Sequence, residues 1–171
     1  MTSAELVEGG ERPSVRLVRH LQDPPEAVWS AITDRDQLRF WFPCDVVLEG
    51  GRWKAGADIA FVFPSHLIDM TLSGIVLEVD EPHRLSYTWG DEVLRFELTP
   101  EGEGTHLVLV DELGPSIAAR NAAGWEDCLD RLVGSTPVEG AWKEHFEEYS
   151  ARFEPVVGPQ EGPPASYWGD G

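Results

Sequence analysis

The sequence predicts an α+β domain in which a curved antiparallel sheet of about six to seven strands is covered by one long C-terminal helix. Three observations carry this prediction. At 100° per residue, Ile117, Ala118, Ala122, Trp125, Cys128, Leu129, Leu132 and Val133 share one half of a helical wheel; Arg120, Glu126, Asp127, Asp130 and Arg131 share the other. Between Cys44 and Glu112 the hydrophobic period drops to two, and short connections marked by Gly, Pro and Asp join the runs, as in an antiparallel meander. A sheet that is apolar on one face needs a cover, and a helix of about 18 residues, roughly 27 Å long, is long enough to cross it.

In chain order, residues 1–13 carry Gly9, Gly10 and Pro13 and read as a flexible leader. Ser14–Leu21 alternates, with Val15, Leu17 and Arg19 on one side and Arg16, Val18 and His20 on the other, and is expected as a strand. Asp23-Pro24-Pro25-Glu26 reads as a cap, two first-turn prolines and a capping-box glutamate opening a short helix with Val28, Trp29 and Ile32 on its apolar stripe. A second short helix restarts at Thr33 or Asp34 and stops before Pro43. Its three aromatics, Phe40, Trp41 and Phe42, cannot all face one way, so at least one is expected in a cavity or crevice.

The meander is then Asp45–Glu49, Asp58–Phe63, Met70–Val79, Arg84–Trp89, Glu92–Leu98 and Thr105–Glu112, with Ile59/Phe61/Phe63, Leu85/Tyr87/Trp89 and Leu94/Phe96/Leu98 facing inward. After the long helix, Gly134 is a stop and Thr136-Pro137-Val138-Glu139 a restart, with Val138, Trp142, Phe146, Tyr149 and Phe153 striping a last helix. A single domain over 14–153 results, followed by a Pro/Gly-rich tail, 154–171, expected to be disordered unless Tyr167 or Trp168 pins it.

Composition narrows the function classes. In 171 residues there are 13 basic and 31 acidic side chains, a net charge of −18, which argues against nucleic acid and anionic membrane surfaces as partners. The chain has no signal-like region and no run of 18 apolar residues, so membrane insertion is not expected and a cytoplasmic location is. Cys44 and Cys128 are too few for a disulfide framework, and His20, His83, His106 and His145 show no ligand spacing, so neither a metal nor a cofactor is expected.

Several of these residues resemble a known family. Pro25-x-x-Val28-Trp29-x-Ala31-Ile32-Thr33 followed by Trp41-Phe42-Pro43, then Gly74-x-Val76-x-x-Val79 leading to Pro82-x-x-Leu85-x-x-Thr88-Trp89, then Gly124-Trp125-x-x-Cys128-Leu129-x-x-Leu132, resemble the activator-of-Hsp90-ATPase-like (AHSA1-like) branch of the START-like (SRPBCC) superfamily. The resemblance runs in order from about Ser14 to Val133. It implies a helix-grip fold with two short helices after the first strand and an apolar cavity under the long helix. Members of the wider superfamily bind lipids, sterols, hormones or polyketide-like molecules, and some are cyclases or aromatases. The eukaryotic activators carry a further N-terminal domain, which a 13-residue leader is not expected to supply.

Read singly, each large aromatic is expected as core; read as a group beneath Gly124 and the small Ala118 and Ala122, they are expected to line a cavity. The candidate cavity set is Trp41, Phe61, Phe63, Met70, Tyr87, Trp89, Phe96, Asn121, Trp125 and Leu129. Asn121, alone in the apolar arc, either presents its amide to the cavity or caps a helix that starts late. Asp111-Glu112 and Glu126-Asp127 are expected as solvated charge. The expected function is binding of a small apolar or amphipathic molecule, without a catalytic residue. The alternatives are a cyclase or hydrolase using Asn121, His66 and Asp69, and a protein-interaction or chaperone-regulator module; a homodimer through the last helix is the alternative to its packing within the chain.

Overall fold

The structure is a computed structural model describing residues 3–64, 70–135 and 138–162. Eight antiparallel strands form one sheet in the order β1-β2-β8-β7-β6-β5-β4-β3. They are β1 (Glu5–Val7), β2 (Ser14–Leu21), β3 (Asp45–Leu48), β4 (Asp58–Val62), β5 (Thr71–Asp80), β6 (Arg84–Trp89), β7 (Glu92–Glu101) and β8 (Gly104–Glu112). The helices are α1 (Pro25–Thr33), α2 (Arg35–Trp41), α3 (Ala118–Leu132) and α4 (Ala141–Val157). The helix-grip arrangement is as expected: the meander's inward rows, Ile59/Phe61, Leu85/Tyr87/Trp89 and Leu94/Phe96/Leu98, are buried in one core with residues of α1, α2 and α3. Among the described residues, no helix is long and apolar enough to cross a membrane.

Several boundaries differ from expectation, each for a local reason. Residues 5–7 of the expected leader form β1, which adds an edge strand beside β2 in the register Glu5↔Arg16. Asp23 does not cap α1. Pro24 is extended and takes the cap position, so Asp23 lies outside the helix and its carbonyl accepts a bond from Thr105 Oγ1 at 2.8 Å. Asp34 does cap α2, its carboxylate accepting from the Asp36 amide at 2.9 Å. At the aromatic triplet Phe40 turns outward, 81% exposed, while Trp41 and Phe42 turn in.

Gly74 marks a close approach of two strands. A Cβ there would stand 2.1 Å from the Thr88 carbonyl oxygen and 2.8 Å from Phe61 Cε2, so only glycine permits this approach of β5 to β6. Further along the same pair a bulge falls between Val76 and Glu78, adding twist.

The C-terminal part differs most. The restart at Thr136-Pro137 lies outside the described residues, and α4 begins at Ala141 after Gly140. Its stripe packs on α3 within the chain, burying Tyr149 and Phe153, while Val138 stays exposed. The expected disordered tail is ordered as far as it is described: α4 runs to Val157 and the chain then folds back over the start of α3. There Gln160 Oε1 accepts from the Ala119 amide at 2.9 Å and Glu161 N donates to Ser116 O at 2.7 Å. Ile117, at the cap position of α3, has no side chain able to cap, so Gln160 satisfies a backbone donor that would otherwise be orphaned. Tyr167 and Trp168 lie outside the described residues.

Candidate functional site

Between the concave face and α3 stands a continuous wall of rings. Trp89 contacts Phe61 (4.6 Å between ring centroids), Phe42 (5.3 Å), Phe63 (5.7 Å) and Trp125 (6.0 Å). Tyr87 contacts Phe61 at 5.8 Å and Phe96 at 6.0 Å, and Trp41 meets Phe96 at 6.3 Å. Phe42 occupies the middle, touching Trp41, Phe61, Trp89 and Trp125. Most of these pairs are tilted or edge-to-face, the geometry the ring quadrupole favours.

The wall ends on a polar group. Glu92, at the start of β7, and Asp111, on β8, are 7% and 0% exposed and lie on the inward phase of their strands, in line with Leu94/Phe96/Leu98 and Leu107/Leu109. Asn121, in the first turn of α3, donates through Nδ2 to Glu92 Oε1 at 2.5 Å and to Asp111 Oδ2 at 3.1 Å. Trp125, one turn further on, donates through Nε1 to the same Asp111 Oδ2 at 2.9 Å. Asp111 Oδ1 is buried, and among the described residues the only donor for it is the proton its Glu92 neighbour can carry.

Burial, followed by the negative Asp111 beside it, pushes the Glu92 carboxyl far above the ordinary glutamate value. Burial also pushes Asp111 up, while the hydrogen bonds from Glu92, Trp125 and Asn121 restrain the rise. Among the described residues no cation hydrogen-bonds the pair, and both carboxyls are pushed above their ordinary values, Glu92 the further, so the pair favours keeping one proton between its two members. Chemically it can donate a hydrogen bond, accept one, or exchange that proton with a bound molecule.

The predicted residues divide accordingly. Trp41, Phe61, Tyr87, Trp89, Phe96, Trp125 and Leu129 are buried together, and Phe63 is half-buried at the rim. Asn121 turns its amide inward and does not cap α3. Met70 departs from the set: it precedes β5, outside the wall, and is 37% exposed. His66 and Asp69 lie outside the described residues. The missed residues are Phe42, Glu92 and Asp111; the two acids were detectable as charges in phase with apolar inward rows. Both cysteines are unpaired and buried, and burial pushes the Cys128 thiol up to about 12, so it acts as a small hydrophobe. Open grooves of about 720 and 320 Å³ lie elsewhere, the larger lined by Ala60, Ser73, Ile75 and Thr88 on the far side of the sheet from α3.

Residues 22–135 match the model of the family described as activator of Hsp90 ATPase homolog 1-like protein. No curated protein matches the chain in sequence. Among solved structures, a conserved protein of unknown function from Enterococcus faecalis, EF2215, is similar at 18% identity over 90% of this chain and 91% of its own, with a TM-score of 0.76. CalU16 from Micromonospora echinospora is similar at 24% identity over 89% and 95%, with a TM-score of 0.68. DynU16, a protein in the dynemicin biosynthetic locus, is similar at 25% identity over 70% of this chain and 45% of its own, with a TM-score of 0.60.

Proposed function

The chain belongs to the activator of Hsp90 ATPase homolog 1-like family, and from that premise we propose that it binds a small amphipathic molecule between the concave face of the sheet and α3. The apolar body of the guest would lie along Trp89 and Trp125, and a hydroxyl, carbonyl or amide at one end would engage Asn121, Glu92 and Asp111. What carries this reading is the carboxyl pair itself. Two buried acids side by side cost stability that an apolar pair would not, and Asn121 and Trp125 aim polar hydrogens at them in an otherwise greasy interior. DynU16, a neighbour in fold, belongs to a biosynthetic locus, a setting in which small molecules are handled. Seating a guest requires Phe42 to move, since its ring touches four others at the centre of the wall.

A thermal-shift screen of lipids, sterols and aromatic alcohols, amides and acids tests this. At least one class is expected to raise the melting temperature by several degrees and to shift the Trp125 indole N–H resonance, the stabilisation being lost in Trp125→Ala. Phe42→Ala opens a void that indole should fill. If no compound stabilises the wild type and indole leaves Phe42→Ala unchanged, the wall is plain core and the reading fails.

The shared proton favours a second reading, an enzyme in which Glu92 exchanges a proton with the bound molecule. Glu92→Gln would then keep a guest's affinity while abolishing its conversion; conversion at the wild-type rate would exclude it.

A further inference from the structure

On the opposite face of the sheet, the strand register assembles a group that linear spacing conceals. His20 of β2 pairs directly with His106 of β8, and Glu101 reaches them from the β7 end of the β7–β8 hairpin. Both histidines lie on the outward phase: His20 alternates with the buried Leu17 and half-buried Leu21 positions, and His106 with the buried Thr105 and Leu107. Glu101 Oε2 stands 3.1 Å from His20 Nδ1 and 3.3 Å from His106 Nδ1, and the two rings meet edge-on with centroids 5.1 Å apart. One ligand atom from each residue falls within 4.8 Å of the others. The β7–β8 hairpin can approach β2 this closely because Gly104 faces the Leu21 carbonyl oxygen, where a Cβ would stand 2.2 Å away.

We infer that His20, Glu101 and His106 form a binding site for a divalent transition-metal ion. A tetrahedral Zn²⁺ holds nitrogen and oxygen ligands at about 2.0–2.1 Å, which places them about 3.3 Å apart, close to the two edges already present. Two imidazoles and one carboxylate are a donor set that suits Zn²⁺ and its neighbours and disfavours Mg²⁺ or Ca²⁺. Three protein ligands leave a fourth position for water or an incoming group, and the net charge of −18 draws cations to the surface. An ion here would tie β2 to the β7–β8 hairpin across the sheet.

The test uses the full chain, freed of metal by chelation and titrated calorimetrically with Zn²⁺, and separately with Co²⁺ while its visible absorption is recorded. One saturable equivalent is expected, with intense Co²⁺ bands of a four-coordinate site and a higher melting temperature on loading; Mg²⁺ should do nothing. His20→Gln, His106→Gln and Glu101→Gln should each weaken binding by at least about tenfold. All three side chains face solvent, so circular dichroism should show each variant folded. Absence of a saturable equivalent, or one that survives in His20→Gln and His106→Gln, overturns the site and assigns any binding to scattered surface carboxylates.

Discussion

α3 buries an acid on each of two sides, and the two are treated in opposite ways. Towards the sheet, Glu92 and Asp111 face each other with one amide and one indole as donors. Towards β1 and α4, Glu126 is 3% exposed yet surrounded by donors. Ser3 gives it a backbone N–H at 3.2 Å and a hydroxyl at 2.8 Å, the Tyr149 hydroxyl donates to Oε2, and Arg19 Nη2 lies 3.1 Å from Oε1. Burial pushes Glu126 up, but the bonds from Tyr149 and Ser3 and the charge of Arg19 outweigh it, and the net shift is downward. A buried carboxylate with enough donors is a charged rivet joining four elements, whereas a buried carboxyl set against another acid becomes a holder of a proton. The first arrangement serves the fold; the second has a chemical capacity the fold does not need.

The sharpest way to break the comparison is to strip the rivet of its cation. In Arg19→Met the apolar stem can still pack, but Glu126 keeps its charge with only neutral donors, and Asp130 loses the same partner. A loss of about 3 kcal/mol in urea unfolding is expected, at the lower end of what breaking a buried pair costs because Tyr149 and Ser3 remain. A loss below about 1 kcal/mol would mean that water reaches Glu126 and that the two sites are not different in kind.

A smaller effect follows from the other side. Asn121→Leu removes both amide bonds from the carboxyl pair and leaves Asp111 with only the Trp125 indole and the Glu92 carboxyl as donors. The expected cost is about 1–3 kcal/mol, growing with pH as the pair is left with less to stabilise its charge. Guest binding should fall with it if the pair reads a polar end.

How much of this was legible follows from how local each cause is. The meander and α3 are legible because side-chain period and turn residues are local properties: Arg84–Trp89 is bounded in the sequence as in the structure. The inward carboxyls were only half legible: Glu92 and Asp111 sit in phase with apolar rows, but the expectation for an Asp-Glu pair is solvation, and the burial of Asp111 overturns it. Glu126 was not legible. Its donors come from Ser3, Arg19 and Tyr149, and no helical wheel of α3 reveals that β1 and α4 will cover its polar side. The Gln160 cap and the His20–His106 pairing are hidden for the same reason, being contacts across 41 and 86 positions of chain that only the assembled sheet and helices create.

The smallest substitution discriminates best, because it separates the two acids by the sign of their pH dependence. Glu126 has a lowered carboxyl value, so its stabilisation is present above the ordinary glutamate range and is lost as the solution is acidified through the folded-state value. Glu92 has a raised one: its contribution is complete at low pH, where folded and unfolded chains both hold the proton. It declines as pH rises from the ordinary glutamate value across the neutral range, because the folded chain must retain a proton the unfolded chain has released. Glu92→Gln fixes the protonated form: its Oε1 accepts from Asn121 and its Nε2 donates to Asp111 without titrating. At pH 5 the variant should match the wild type to within about 1 kcal/mol; by pH 9 it should be the more stable by at least about 1 kcal/mol, the slope bounded by about 1.4 kcal/mol per pH unit for one proton. Parallel stability curves for the two proteins from pH 5 to 9 would show that Glu92 ionises as freely folded as unfolded. The proton-holding site would then be a second rivet with its cation yet to be found.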